Sequence, residues 1–240
     1  MPKFSFAVPV LPGKHSVLED SIQYTRDHMD EYTASRERAG ITMERVSVMQ
    51  TPMGEFVLPY VEGSQGFAET TKSFITGGEY DQWFLKMNQE VSGIDFSSPQ
   101  VAQAPPPELV GDFVDPQVSE RKAGICFVAP LLPGKTEEGR AFAKEAFNNR
   151  RDEHTAARRK IGITHESVFV NQTPMGDLVV VYLEGDDPVE SNRKFAASQD
   201  AYDVWFKDEC KKIFPPEIDF NEPVPPIQSL WSWEAATVRR

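Results

Sequence analysis

The sequence predicts an α+β chain built from two copies of one unit, each running β-α-β-β-α-β. The first observation behind this is a repeat. Gln50-Thr51-Pro52-Met53-Gly54 returns as Gln172-Thr173-Pro174-Met175-Gly176, Gly40-Ile41-Thr42 as Gly162-Ile163-Thr164, and Tyr80-Asp81 with Trp83-Phe84 as Tyr202-Asp203 with Trp205-Phe206. From Asp30 to Gly63, 20 of 34 positions are identical 122 residues later. The second is the period, far longer than the ~20–50 residues of a solenoid unit. The third is that strand-like and helix-like segments follow in the same order in both copies. The expected domains are residues 1–116 and 117–240, each of ordinary domain size.

Each copy opens on a short apolar run, Phe4–Leu11 or Gly124–Leu132, closed by Pro12-Gly13 or Pro133-Gly134. A stretch free of proline, rich in Glu, Arg, Ala and Lys, then predicts a helix over roughly 15–38 and 140–160. Gly40 and Gly162 stand where a helix end favours a left-handed residue. Pro12 to Gly40 is one residue shorter than Pro133 to Gly162, so one helix carries a bulge or one loop is shorter.

Two β runs flank the shared Thr-Pro-Met-Gly: Glu44–Gln50 with Glu55–Glu62, and Glu166–Gln172 with Asp177–Glu184. Proline followed by glycine suits a three-residue hairpin loop. That register pairs Gln50 with Phe56 and puts Val46, Val48, Gln50, Phe56, Leu58, Tyr60 and Glu62 on one face. A two-residue loop would regroup the partners by one position. Further helices follow over roughly 65–91 and 187–213, divided at Gly77-Gly78 and Ser198-Gln199-Asp200. Proline-rich loops lead to a last β run, Leu109–Val114 or Leu230–Glu234. The order is that of a split βαβ unit, with helices on one sheet face. Two copies could then cover each other's bare faces as an intrachain pseudo-dimer. Further homo-oligomerisation stays open.

Composition narrows the function. The formal net charge is −12, and no basic patch offsets it, so neither a phosphate backbone nor an anionic membrane is an expected partner. No apolar run reaches the ~18 residues of a membrane helix, and the N-terminal segment lacks the apolar stretch of a signal peptide. Only Cys126 and Cys210 are present, both in the second copy, so the shared unit needs no disulfide and a reduced cytoplasmic setting is expected. The four histidines show no metal-binding spacing, and no glycine-rich phosphate loop, dinucleotide fingerprint or nucleophile elbow occurs. No cofactor and no metal are expected, although haem ligation stays open.

The chain resembles the dimeric α+β barrel superfamily in a fused, two-copy form. That superfamily is ferredoxin-like and includes antibiotic-biosynthesis-type monooxygenases, muconolactone isomerases and stress-responsive barrel proteins. Arg150-Arg151…Thr155…Arg158-Arg159…Gly162-Ile163-Thr164, Gln172-Thr173-Pro174-Met175-Gly176-Asp177, Val181-Tyr182-Leu183-Glu184 and Trp205-Phe206 are similar to an uncharacterised bacterial group within it. The resemblance implies tandem β-α-β-β-α-β repeats forming a pseudo-dimeric barrel, with a ligand space between two sheets. It implies no catalytic residue, because the superfamily mixes several activities on one fold.

The candidates for chemistry come from the strands. Tyr60 and Glu62, like Tyr182 and Glu184, lie i, i+2 on one strand face. A buried Glu62 or Glu184 could act as a general base while Tyr and the nearby Gln50 or Gln172 polarise a substrate oxygen. The competing structural role ties off the tyrosines in the core and leaves the glutamates at solvated strand ends. Trp231 and Trp233 alternate on the last strand and could frame an aromatic ligand or plug the barrel. Arg150 and His154, with first-copy equivalents His28 and Tyr32, are expected at the helix boundary. The leading expectation is a protein that binds a small apolar or aromatic molecule. A cofactor-independent monooxygenase or isomerase is the first alternative, and a structural or assembly role without ligand the second.

Overall fold

A computed structural model describes residues 1–236. The chain divides into two compact units, one formed by Met1–Pro106 with the chain from Gln228 on, the other by Pro107–Ile227. Both have the mixed α+β architecture predicted from the repeat.

In the first unit, β1 (Lys3–Ser5) and β2 (Val8–Val10) both pair with β4 (Gly54–Gly63). Next to β4 lies β3 (Ile41–Thr51). The far edge beside β3 is taken by a strand from the end of the chain, Ile227–Glu234. The helices are α1 (His15–Asp27), α2 (Met29–Arg38), α3 (Phe67–Ile75), α4 (Glu79–Ser92) and the short α5 (Pro99–Gln103). In the second unit β5 (Glu108–Val114), β7 (Ile163–Thr173), β8 (Gly176–Gly185) and β6 (Ala123–Pro130) lie side by side, all antiparallel. Its helices are α6 (Thr136–Lys144), α7 (Arg151–Ile161), α8 (Pro188–Ala197) and α9 (Ala201–Ile213). The strand Ile227–Glu234 is β9. The strand that ends each sequence copy, β5 or β9, thus completes the sheet built by the other copy.

The hairpin register corrects the predicted face. Thr51 pairs with Gly54 and Thr173 with Gly176, which leaves only Pro-Met in each loop. The threonine hydroxyl closes the turn from inside. Thr51 Oγ1 donates to the Gly54 carbonyl at 2.9 Å and accepts from Met53 N at 3.1 Å, and Thr173 repeats this with Gly176 and Met175. Shifting the register by one moves Val46 and Val48 onto the face with Val57, Pro59 and Val61. Met49, Ser47, Arg45 and Met43 instead share the face of Phe56, Leu58, Tyr60 and Glu62.

The extra residue of the second copy lies inside its first helix. Glu145–Asn149 forms a π-helical turn between α6 and α7. A shorter loop is therefore not the cause of the length difference. Both copies also break this helix at one equivalent place, His28 or Arg150, where the backbone leaves helical geometry. Gly162 caps α7 at φ +87° as its position suggested. The second helical regions divide at the glycine pair and at Ser198–Asp200, as predicted. Among the described residues no helix is long and apolar enough to cross a membrane.

Candidate functional site

The helix-covered face of the first sheet holds a cavity of about 130 Å³, wholly within the first unit. Val46, Val57, Pro59 and Val61 form its sheet wall, and Phe67, Phe74, Phe84 and Trp231 supply aromatic rings. It therefore lies on the opposite sheet face from Tyr60 and Glu62, the face proposed for a ligand from sequence.

A buried polar cluster closes one side. Glu44 projects from β3 and accepts the Tyr32 hydroxyl at 2.6 Å and Arg36 Nε at 2.8 Å, both from α2. Trp231 Nε1 donates to the same tyrosine oxygen at 2.8 Å. The Arg36 guanidinium carbon lies 4.4 Å from the Tyr32 ring centre, 4.9 Å from Phe74 and 4.4 Å from Phe84. Burial opposes the Arg36 charge, but the neighbouring carboxylate outweighs it and holds the guanidinium above its ordinary range. Burial, reinforced by Glu44, also pushes the Tyr32 phenol well up, so it stays a neutral donor.

The second unit rebuilds this cluster with different partners. Glu166 meets Arg158 through a short hydrogen bond and His154 Nε2 at 3.4 Å, while His154 Nδ1 faces the Tyr202 hydroxyl at 2.9 Å. Burial would raise the Glu166 pKa, yet Arg158 and His154 hold it down to about 2. Burial and then Arg158 push the His154 imidazole below its usual value. His154 and Tyr32 are each 1% exposed, which corrects the boundary placement expected for this pair.

Large side chains stand in the second unit where the first keeps small ones. The position of Ser21 on the cavity wall is taken by Phe142, whose ring lies 5.7 Å from Trp205 and 4.8 Å from Phe206. Phe147, brought inward on the π-helical turn, packs 4.3 Å from His154. Gly111 makes room for it, since a Cβ there would come within 2.5 Å of the Phe147 ring.

The strand tyrosine–glutamate pairs do form. Tyr60 donates to Glu62 at 2.6 Å and Tyr182 to Glu184 at 2.7 Å. All four are buried, so the glutamates do not sit at solvated strand ends. Glu184 also accepts Arg121 Nη1 at 3.3 Å and the Lys122 amide at 3.1 Å. His165 lies beside this group, 3.2 Å from Arg121 Nη1 and 2.8 Å from Ser167 Oγ, which in turn donates to Asp112. Gln50 and Gln172 are not brought to either pair. Both are exposed at the hairpin ends, and Gln50 donates to the Thr51 carbonyl. Trp231 lines the cavity, and Trp233 packs edge-on against Tyr32 on the same face. Cys126 and Cys210 are both buried. Among the described residues no group of three or more His, Cys, Asp or Glu side chains is placed to hold a metal ion.

Sequence reasoning missed Arg36, Glu44, Ser21 and Thr70. A signal for the first two was available, because an arginine and, eight residues on, a glutamate recur at the same places as Arg158 and Glu166.

No family model matches this chain, and no curated protein matches it. Solved structures do share its fold over nearly its whole length. An anthrone oxidase-like protein is 10% identical and superposes with a TM-score of 0.55 over 98% of this chain and 93% of its own. A protein of Fusobacterium nucleatum, provisionally named a monooxygenase, is 9% identical with a TM-score of 0.51 over 97% and 93%. A provisionally named monooxygenase of Lactobacillus acidophilus is 8% identical with a TM-score of 0.50 over 96% and 92%. At such identities the likeness is one of fold: tandem ferredoxin-like α+β repeats of the kind found in these proteins.

Proposed function

We propose that this protein binds one small, mainly apolar molecule per chain, in the helix-side cavity of its first unit. The observation that carries this reading is the contrast at one position: Ser21 on the cavity wall, Phe142 on the aromatic core of the second copy. Ligand pockets are concave, mostly apolar and carry few polar groups, and this cavity has that make-up. Its volume is near that of an engineered cavity known to hold a single benzene ring, about 150 Å³.

The test is a calorimetric titration of the full chain with single-ring aromatics such as toluene. One equivalent is expected for the native sequence and none for Ser21→Phe. Undiminished binding by Ser21→Phe would place the ligand elsewhere and defeat the proposal.

A second reading is a cofactor-independent monooxygenase whose substrate meets the Tyr60–Glu62 or Tyr182–Glu184 face of a sheet and not the helix-side cavity. The names of the structural neighbours favour it, as does the recurrence of the buried Tyr60–Glu62 and Tyr182–Glu184 pairs. Oxygen uptake with a bound aromatic substrate, compared with Glu62→Gln and Glu184→Gln, tests it. Unchanged turnover in both variants removes these glutamates as bases.

A further inference from the structure

We infer that the ligand of the first-unit cavity is uncharged and carries one hydrogen-bonding oxygen, which Thr70 engages. The inference rests on the binding function proposed above and adds the chemical class of the ligand.

The cavity wall contains several polar side chains, and the structure accounts for most of their hydrogen bonds. Ser21 Oγ donates to the Leu18 carbonyl at 2.6 Å, and Thr71 Oγ1 to the Phe67 carbonyl at 2.8 Å. Thr25 Oγ1 and the Tyr80 hydroxyl share a bond at 3.0 Å. Asn88 Nδ2 donates to the Phe84 carbonyl at 2.8 Å. Tyr32 donates to Glu44 and accepts from Trp231. Thr70 differs from all of these. It lines the cavity, is 3% exposed, and its Oγ1 has no hydrogen-bond partner. A helical threonine usually returns its hydroxyl to the carbonyl four residues back or gives it to water. A buried hydroxyl that does neither is costly, and such a group in a native structure calls for an absent partner. With the other polar groups named on the wall already bonded within the protein, a ligand oxygen supplies that partner.

Charge decides the class of that ligand. Among the described residues, Arg36 is the one Lys or Arg on the cavity wall, and Glu44 the one carboxylate. They neutralise each other, Arg36 through Nε to Glu44 and through its faces to three aromatic rings. A carboxylate or ammonium entering here would lose its hydration without gaining a counter-ion. An alcohol, phenol or ketone of about one ring meets both conditions.

Three probes on one toluene frame separate the terms: toluene, p-cresol and p-toluate, titrated into the full chain. The native protein is expected to bind p-cresol about fivefold to tenfold more tightly than toluene, the worth of one net hydrogen bond. It is expected to bind p-toluate at least a hundredfold more weakly than p-cresol, in the order of ~100 for an unpaired buried charge. Thr70→Val should bring p-cresol within about twofold of toluene while toluene affinity stays the same, and Thr70→Ser should keep the preference. The unchanged toluene affinity shows that the valine variant is folded. If that variant does not fold, the native preference series and Thr70→Ser decide. A p-cresol preference that survives Thr70→Val, toluene binding with no p-cresol preference, or p-toluate matching p-cresol overturns this inference and leaves the binding function standing. Failure of all three probes to bind overturns both.

Discussion

The Tyr32 hydroxyl is 2.6 Å from Glu44 and simultaneously 2.8 Å from Trp231 Nε1, so one oxygen joins α2, β3 and β9 of the first unit. Removing it should leave two buried groups short of a partner. Tyr32→Phe is expected to cost about 1–3 kcal/mol, seen as a lower Tm in scanning calorimetry. Trp231→Phe removes the indole donor and part of a half-buried ring but leaves the Tyr32–Glu44 bond in place, and should cost less. Equal losses would show that the Tyr32–Glu44 bond adds nothing.

Arg36 and Glu44 form a buried pair, and breaking one side should be worse than removing both. Arg36→Met alone is expected to cost ~3–5 kcal/mol, because Glu44 then stays buried with only a phenol for company. The double variant Arg36→Met, Glu44→Leu should recover most of that loss. Denaturant unfolding of the three proteins measures it. A double variant no more stable than the single one would contradict the ion-pair account.

Acid should weaken the second unit in two steps. The folded-state pKa of His154 lies below its ordinary 6.5, so the unfolded chain takes up that proton first as pH falls. Stability from this group is full above 6.5 and declines below it. Glu166 is held at about 2 against an ordinary 4.5, so its contribution is full above 4.5 and is lost as pH drops from 4.5 towards 2. Tm measured from pH 8 to 3 should therefore fall from about pH 6.5 downward and steepen below about 4.5. His154→Asn should flatten the upper part and Glu166→Gln the lower.

Phe142→Ser should open in the second unit the space that Ser21 leaves in the first. A loss of about 3–5 kcal/mol is expected, as for other large-to-small core changes. Toluene titration should then show a second, weaker site. If the variant loses stability but gains no site, Phe142 is core filling alone and other residues close the second cavity.

Gly111→Ala offers a check on the π-helical turn. Its Cβ would meet the Phe147 ring, and a loss of about 1–3 kcal/mol is expected. Phe147→Leu in the same chain should relieve part of it, because the shorter side chain leaves that space.

Much of the fold was legible because it is written twice. The repeat located every long strand and each second-region helix break, and the alternation of apolar residues placed Tyr60 beside Glu62. The loop length was not legible. Pro-Met-Gly serves a two- or three-residue turn equally well, and the choice fell to the Thr51 hydroxyl, whose bonds within the turn leave no trace in hydropathy. That one-residue difference is why Val46 and Val48 lie on the other face from the one expected, whereas the expectation of a cavity beside Glu62 came from the ligand space between two sheets that the resemblance implies. Thr70 was illegible for a related reason. A threonine on a helix looks the same in sequence whether its hydroxyl is bonded or bare, and only the packing around it separates the two.

The crossing of β5 and β9 also sets a timetable. Residues 107–227 form one unbroken stretch, so on an emerging polypeptide that layer has all its strands before synthesis ends. The amino-terminal layer is made first yet completed only once β9 has been synthesised, waiting until then with the edge of β3 uncovered. A stop codon near residue 225 would thus spare the younger layer and cripple the older one.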